Sequence, residues 1–130
     1  MDLTPPAPAP REYAVDARST ATFGRVLCSA RTHHFIIDGP VANGCPGEEL
    51  TPPEAFLAGV ASCGVELVQV IARELSVPVG DVTVSIQAIV DRSKPVRPDV
   101  TLFNSVRMRF TVAGVPRDRA GGLIEQFQKR

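Results

Sequence analysis

Apolar and polar positions divide this chain into stretches with two different periods. The longest stretch, residues 51–75, reads TPPEAFLAGVASCGVELVQVIAREL. At about 100° per residue, Ser62, Glu66, Gln69 and Arg73 fall on one narrow polar stripe. Almost every other position from Phe56 onward is Phe, Leu, Val, Ile, Ala, Gly or Cys. The pattern predicts a helix that must be covered on most of its circumference, a core element around which the rest is organised. Its start is also encoded. Thr51 fits the N-cap, Pro52 the first helical position, and Glu54, three residues after the cap, completes a capping box. Cys63 lies beside the polar stripe on the Val70 side, at the border between apolar packing and a polar seam.

On either side of this helix the period shortens towards two. Between Tyr13 and Ile37, Phe23, Val26 and Cys28, then Phe35, Ile36 and Ile37, suggest two strands with a turn near residues 29–32. The tripeptide DGP at 38–40 ends the second strand, and NGCPGEEL at 43–50 is a loop leading into the helix. Residues 76–80 (SVPVG) form a turn. Val82, Val84, Ile86, Ala88 and Val90 then share one face of a strand. After a polar, proline-interrupted loop at 91–99, Val106, Met108, Phe110 and Val112 alternate with Arg107, Arg109 and Thr111. These two strands suit an antiparallel pair with one face on a helix, and the two arginines read as solvated charges. A last helix begins at Pro116 or Arg117 and runs through Phe127, with Ala120, Leu123, Ile124 and Phe127 at i, i+3, i+4, i+7. The order is β-β-α-β-β-α, an α+β fold. Residues 1–12, with four prolines among the first ten, read as a flexible arm ahead of a single domain at 13–130.

Composition narrows the function classes. The chain has 130 residues, with 14 basic and 14 acidic side chains, so no electrostatic footprint argues for nucleic acid or an anionic membrane. Three widely spaced cysteines, at 28, 45 and 63, do not form a secreted disulfide framework. No signal-peptide core opens the chain, and the uncharged run at 55–65 is too short to span a bilayer. The expectation is a soluble, cytoplasmic, reduced protein. His33 and His34 stand on a strand and point to opposite faces, and no ligand spacing accompanies them, so neither a metal nor another cofactor is expected.

The segment GPVANGCPGEELTPPEAFLAGVASCGVELV resembles the OsmC/Ohr family of hydroperoxide-detoxifying proteins. Gly39-Pro40, Asn43-Gly44, Thr51-Pro52, Glu54, Phe56-Leu57-Ala58 and Ala61-Ser62-Cys63 carry the match, and the order of elements agrees over roughly residues 15–130. The resemblance implies an intertwined homodimer, with the long helices of both subunits central and the antiparallel sheets wrapped outside. It also implies a thiol peroxidase. A peroxidatic cysteine attacks an organic hydroperoxide, a second cysteine resolves the sulfenic acid as a disulfide, and a lipoyl-type or other dithiol reduces that disulfide. Carried over, Cys63 is the peroxidatic residue, Glu54 its acidic neighbour, and Arg25 the matching arginine, with Arg31 as the alternative. The chain departs from the family in two ways. It ends at Arg130 without the resolving cysteine or the final strand that follow the last helix in family members, which implies either a shortened chain or lost disulfide chemistry. Glu54 also lies nine residues before Cys63, one position nearer than in the hydroperoxide-resistance branch and about half a turn out of phase in a straight helix. A bend near Gly59 or an indirect contact would be needed to join them.

Each residue also has a structural reading. Peroxide reduction needs a thiolate, hence a site that lowers a free-thiol pKa of about 8.5, as a nearby arginine does. An apolar surround of Phe56, Val60 and Leu67 favours an alkyl peroxide over hydrogen peroxide. Cys63 also reads as a small buried hydrophobe, and Glu54 as a capping residue alone. Cys45 is a candidate resolving thiol or a loop cysteine. Two functions follow: an OsmC-like peroxidase, or a non-catalytic module of the same fold holding a small hydrophobic ligand in its dimer cleft.

Overall fold

A computed structural model describes residues 3–130. The chain forms two compact units, the first ending at Pro52 and the second running from Pro53 to Arg130. The order of elements is that of an α+β fold, two antiparallel sheets and a long helix.

In the first unit, residues 3–15 are exposed and without regular structure. Three strands follow, β1 (Asp16–Ser19), β2 (Arg25–Ala30) and β3 (His33–Asp38), paired antiparallel in the order β1-β2-β3. The expected hairpin is β2–β3, in a register that sets Val26 opposite Ile37 and Cys28 opposite Phe35. Its turn falls at residues 31–32, where Arg31 takes a left-handed conformation, φ 56°. Strand β1 is additional to the expected order. Its sequence, DARS, is exposed at every position, so it lacks the apolar alternation that marks the others. It is held instead by backbone pairing, Ala17 opposite Cys28 and Arg18 opposite Leu27. After β3 the chain makes one 3-10 turn, Val41–Asn43, and a loop that ends at the long helix.

The second unit contains α1 (Pro52–Glu74), β4 (Val82–Ile89), β5 (Ser105–Val112) and α2 (Arg117–Gln128). Helix α1 starts at the proline that the capping pattern singled out. Val68, Ile71 and Ala72 of α1 and Leu123 of α2 form the buried core, with Leu67, Val77, Val79, Val82, Phe110, Val112 and Phe127 packed against it. Gly64 lets the sheet approach, because a Cβ there would meet Met108 Cε and the Phe110 ring at 3.3 Å. Phe110 and Phe127 pack with ring centroids 5.4 Å apart, a favourable aromatic geometry.

Within the single chain one stripe of α1 is covered, less than the burial on most of its circumference that its apolar pattern predicts. Gly64, Val68, Ile71 and Ala72 are buried, whereas Phe56 is 61% exposed and Cys63 is also exposed. Within this unit one two-stranded sheet and one 12-residue helix are available to cover a 23-residue apolar helix, and they reach one side of it. By length and composition α1 is also long and apolar enough to cross a membrane. The uncharged run at 55–65 understated this, because a span tolerates an isolated charge such as Glu66. The stripe packed on β5 and α2 identifies α1 as a core helix.

Candidate functional site

Cys63 projects from the exposed side of α1 into a shallow depression of about 490 Å³ lined by Ala55, Phe56, Gly59, Val60 and Phe127. The i, i+4 spacing of Phe56–Val60 and Gly59–Cys63 brings these positions together on the helix surface. Gly59 leaves the floor open, since a Cβ there would meet no atom within 4 Å. Phe56 is steadied by Phe103, whose ring lies 6.1 Å away in a stacked arrangement. Ser62 next to the thiol donates its hydroxyl hydrogen to the Gly59 carbonyl at 3.0 Å. Among the described residues no charged side chain lines the depression.

Two details differ from the sequence reading. Leu67 packs against the core cluster, so it does not join Phe56 and Val60 in the wall. Phe127 does join them, although its place in the α2 repeat marked it as core. The side chain serves both surfaces, which periodicity cannot express. Glu54 lies in the exposed first turn of α1, and the helix continues without interruption through Gly59. Nine helical residues correspond to about 13.5 Å along the axis and half a turn of rotation. Helix α1 by itself therefore does not bring the Glu54 carboxylate to Cys63.

A second polar cluster lies in the first unit. Arg25, the first residue of β2, donates from Nε to Asp38 Oδ1 at 2.8 Å and from Nη2 to Oδ2 at 2.9 Å, a bidentate pair. Asp38, the last residue of β3, has no exposed surface. Its Oδ2 also accepts the backbone N–H groups of Glu48 at 3.0 Å and Glu49 at 3.1 Å. The Asp38 N–H donates to the Leu50 carbonyl at 2.9 Å, and the Glu48 carboxylate stands 3.7 Å from Arg25 Nη2. Hydrogen bonding from Arg25 dominates the carboxyl's environment. With help from the Glu49 and Glu48 amides it outweighs burial and lowers the Asp38 pKa to about 2. The same hydrogen bond moves the Arg25 pKa further up. The cluster thus ties the end of β3 to residues 48–50, just ahead of α1.

Asp38 was legible only as part of a turn signal. The physical clue was an acidic residue directly after the apolar run Phe35-Ile36-Ile37, where burial requires a cationic partner. Arg31, the alternative arginine, stands exposed in the β2–β3 turn. Cys45 is half-buried, with its side chain against Gly24 and Gly39, so that a Cβ on either glycine would collide with it. The Gly39 N–H donates to the Gly24 carbonyl at 2.8 Å across this contact. Cys28 is buried in β2. Arg25 and Cys45 therefore belong to the first unit, and Glu54 and Cys63 to the second. Among the described residues no group of three or more His, Cys, Asp or Glu is placed to hold a metal ion. His34 Nδ1 pairs with the Ser29 hydroxyl at 2.9 Å.

Comparison with known proteins adds the following. The family described as OsmC-like protein matches residues 45–130. Among solved structures, an OsmC-like protein from Mycoplasma pneumoniae superposes with a TM-score of 0.79 at 12% identity, over 92% of this chain and 82% of that one. An organic hydroperoxide resistance protein OsmC from Legionella pneumophila gives 0.72 at 17% identity, over 94% and 85%. The organic hydroperoxide resistance protein OhrB of Bacillus subtilis gives 0.62 at 20% identity, over 92% and 84%. Likeness at these identities shows a shared fold. Among curated protein sequences none matches the chain.

Proposed function

The chain belongs to the OsmC-like family, and from that membership we propose that it is a thiol-dependent peroxidase acting on organic hydroperoxides. The observation that carries the proposal is the position of Cys63, an exposed thiol on α1 at the edge of an apolar depression. Within the chain Cys28 is buried in the sheet, whereas Cys63 stands outside the core. Two solved structures of the same fold, from Legionella pneumophila and Bacillus subtilis, are named as organic hydroperoxide resistance proteins.

In the proposed reaction the Cys63 thiolate attacks one peroxide oxygen of ROOH. The S–O bond forms as the O–O bond breaks, and the departing alkoxide takes a proton to leave as ROH. Cys63 becomes a sulfenic acid. A second thiol then displaces water from sulfur to form a disulfide, and an external dithiol of lipoyl type restores both thiols in exchange for its own oxidation. Cys45 is the resolving candidate within the chain. Glu54 and Arg25 are the acidic and basic residues assigned by family resemblance to activate the thiol and orient the peroxide. Phe56, Val60 and Phe127 offer the alkyl group an apolar wall. The protein acts as a soluble, cytoplasmic homodimer, the second copy covering the apolar side of α1.

One observation favours a second reading, a non-catalytic module that binds a small hydrophobic ligand. Among the described residues no charged group lines the depression at Cys63, and an apolar wall without a charged partner suits a hydrophobic ligand. Turnover of cumene hydroperoxide and of hydrogen peroxide with a dithiol reductant separates the two. The peroxidase reading expects preference for the organic peroxide and loss of activity in Cys63→Ser. Absence of turnover, with a hydrophobic ligand retained, supports the binding module instead.

A further inference from the structure

The outward face of the β4–β5 sheet has a composition that neither packing nor the reaction at Cys63 uses. The antiparallel register pairs Thr83 with Thr111, Ser85 with Arg109, Gln87 with Arg107 and Ile89 with Ser105. Paired residues share a face, so these eight side chains stand together on the side opposite the core-facing Val82, Phe110 and Val112. The face contains no Asp or Glu. Ser85, Ile86, Gln87, Arg107 and Arg109 line an open depression of about 330 Å³.

Among the described residues neither Arg107 nor Arg109 has a carboxylate partner, whereas Arg25, Arg97 and Arg130 each do. Two arginines two residues apart on one strand have Cβ atoms about 7 Å apart. Their like charges repel, and a chain of zero net charge has acidic residues that this face leaves out. Side chains of that length converge readily on one ligand of two negative charges. Each presents a planar fork of donors suited to a tetrahedral oxyanion. Ser85 and Gln87, directly across, add neutral donors on the facing strand.

We propose that Arg107 and Arg109, with Ser85 and Gln87, form a binding site for a phosphate-bearing small molecule. Two positive charges on an otherwise neutral face suit a single phosphate group. A nucleic acid or an anionic membrane would call for a longer basic track. The site is independent of the peroxidase reading, since none of its residues lines the depression at Cys63.

The test is a titration of the isotopically labelled full chain with inorganic phosphate, then pyrophosphate, at constant ionic strength maintained with chloride. Saturable amide shifts confined to residues 83–89 and 105–111 are expected, with an affinity in the millimolar range for phosphate and tighter for pyrophosphate. Arg107→Gln/Arg109→Gln should weaken binding at least tenfold without altering the melting temperature, because both side chains are exposed. Arg107→Lys/Arg109→Lys, which retains charge but loses the fork, should fall between the two. Shifts matching those of chloride alone, or equal affinity in wild type and the Gln variant, would overturn the site. Equal affinity in wild type and the Lys variant would overturn the forked recognition. Binding of short single-stranded DNA or phosphatidylglycerol vesicles more tightly than pyrophosphate would overturn the small-molecule assignment.

Discussion

At the scale of single residues, the best-determined group in the molecule is Asp38. A fully buried carboxylate is costly unless both oxygens are hydrogen-bonded, and here Arg25 reaches both while two backbone amides add to Oδ2. The consequence for pH has a definite sign. The folded-state pKa, about 2, lies below the ordinary carboxylate value of about 4. The pair's stabilisation is therefore complete above about pH 4 and is lost as pH falls towards 2. Melting curves between pH 7 and 2 should show the wild type losing stability steeply in that window. Asp38→Asn should begin less stable at pH 7, because Arg25 loses its partner, and lose less across the same window. Parallel curves would contradict this account. Asp38 also marks the limit of what one-dimensional pattern reveals. Arg25 and Cys63 were readable as candidates by type and family motif, but the carboxylate that binds Arg25 sits 13 positions away, and only β2–β3 pairing brings it close.

At the scale of elements, strong periodicity was legible and weak periodicity was not. Helix α1, β4, β5 and α2 emerged near their observed limits because each alternates against a single apolar core. β1 did not, because it is exposed on both faces and held by backbone pairing alone. The depression at Cys63 was half legible, with Phe56 and Val60 found from the helix but Phe127 found only once α2 was placed. The end of α1 offers a quantitative check. Ser76 has φ 55°, its N–H donates to the Arg73 carbonyl at 3.2 Å, and the Val77 N–H donates to the Ala72 carbonyl at 2.8 Å. These are the two bonds of a Schellman termination, in which glycine is the preferred residue at the left-handed position. Ser76→Gly should stabilise the protein by about 0.5–1 kcal/mol in urea unfolding, net of the extra freedom glycine gives the unfolded chain. A destabilisation of similar size would show that the Ser76 side chain makes a compensating contact.

At the scale of the whole molecule, the uncovered side of α1 is the main unresolved energetic feature. Phe56 is 61% exposed on a helix long and apolar enough to cross a membrane. A helix of this kind is covered in its working state. The proposed cover is the same helix of a second copy. Sedimentation equilibrium should give twice the chain mass of 13.9 kDa, and Phe56→Asp should shift the population towards monomer. A wild-type monomer at micromolar concentration would contradict the dimer and require another partner for this face.

The central claim concerns Cys63 itself, and the most direct measurement needs no reductant, resolving thiol or turnover. Purified protein with reduced thiols is mixed with one equivalent of cumene hydroperoxide, trapped with a sulfenic-acid-selective reagent within seconds, and mapped by mass spectrometry. The account predicts stoichiometric oxidation at Cys63, with Cys28 untouched because it is buried, and much slower oxidation by hydrogen peroxide. Cys63 that remains a thiol while the peroxide persists would contradict it.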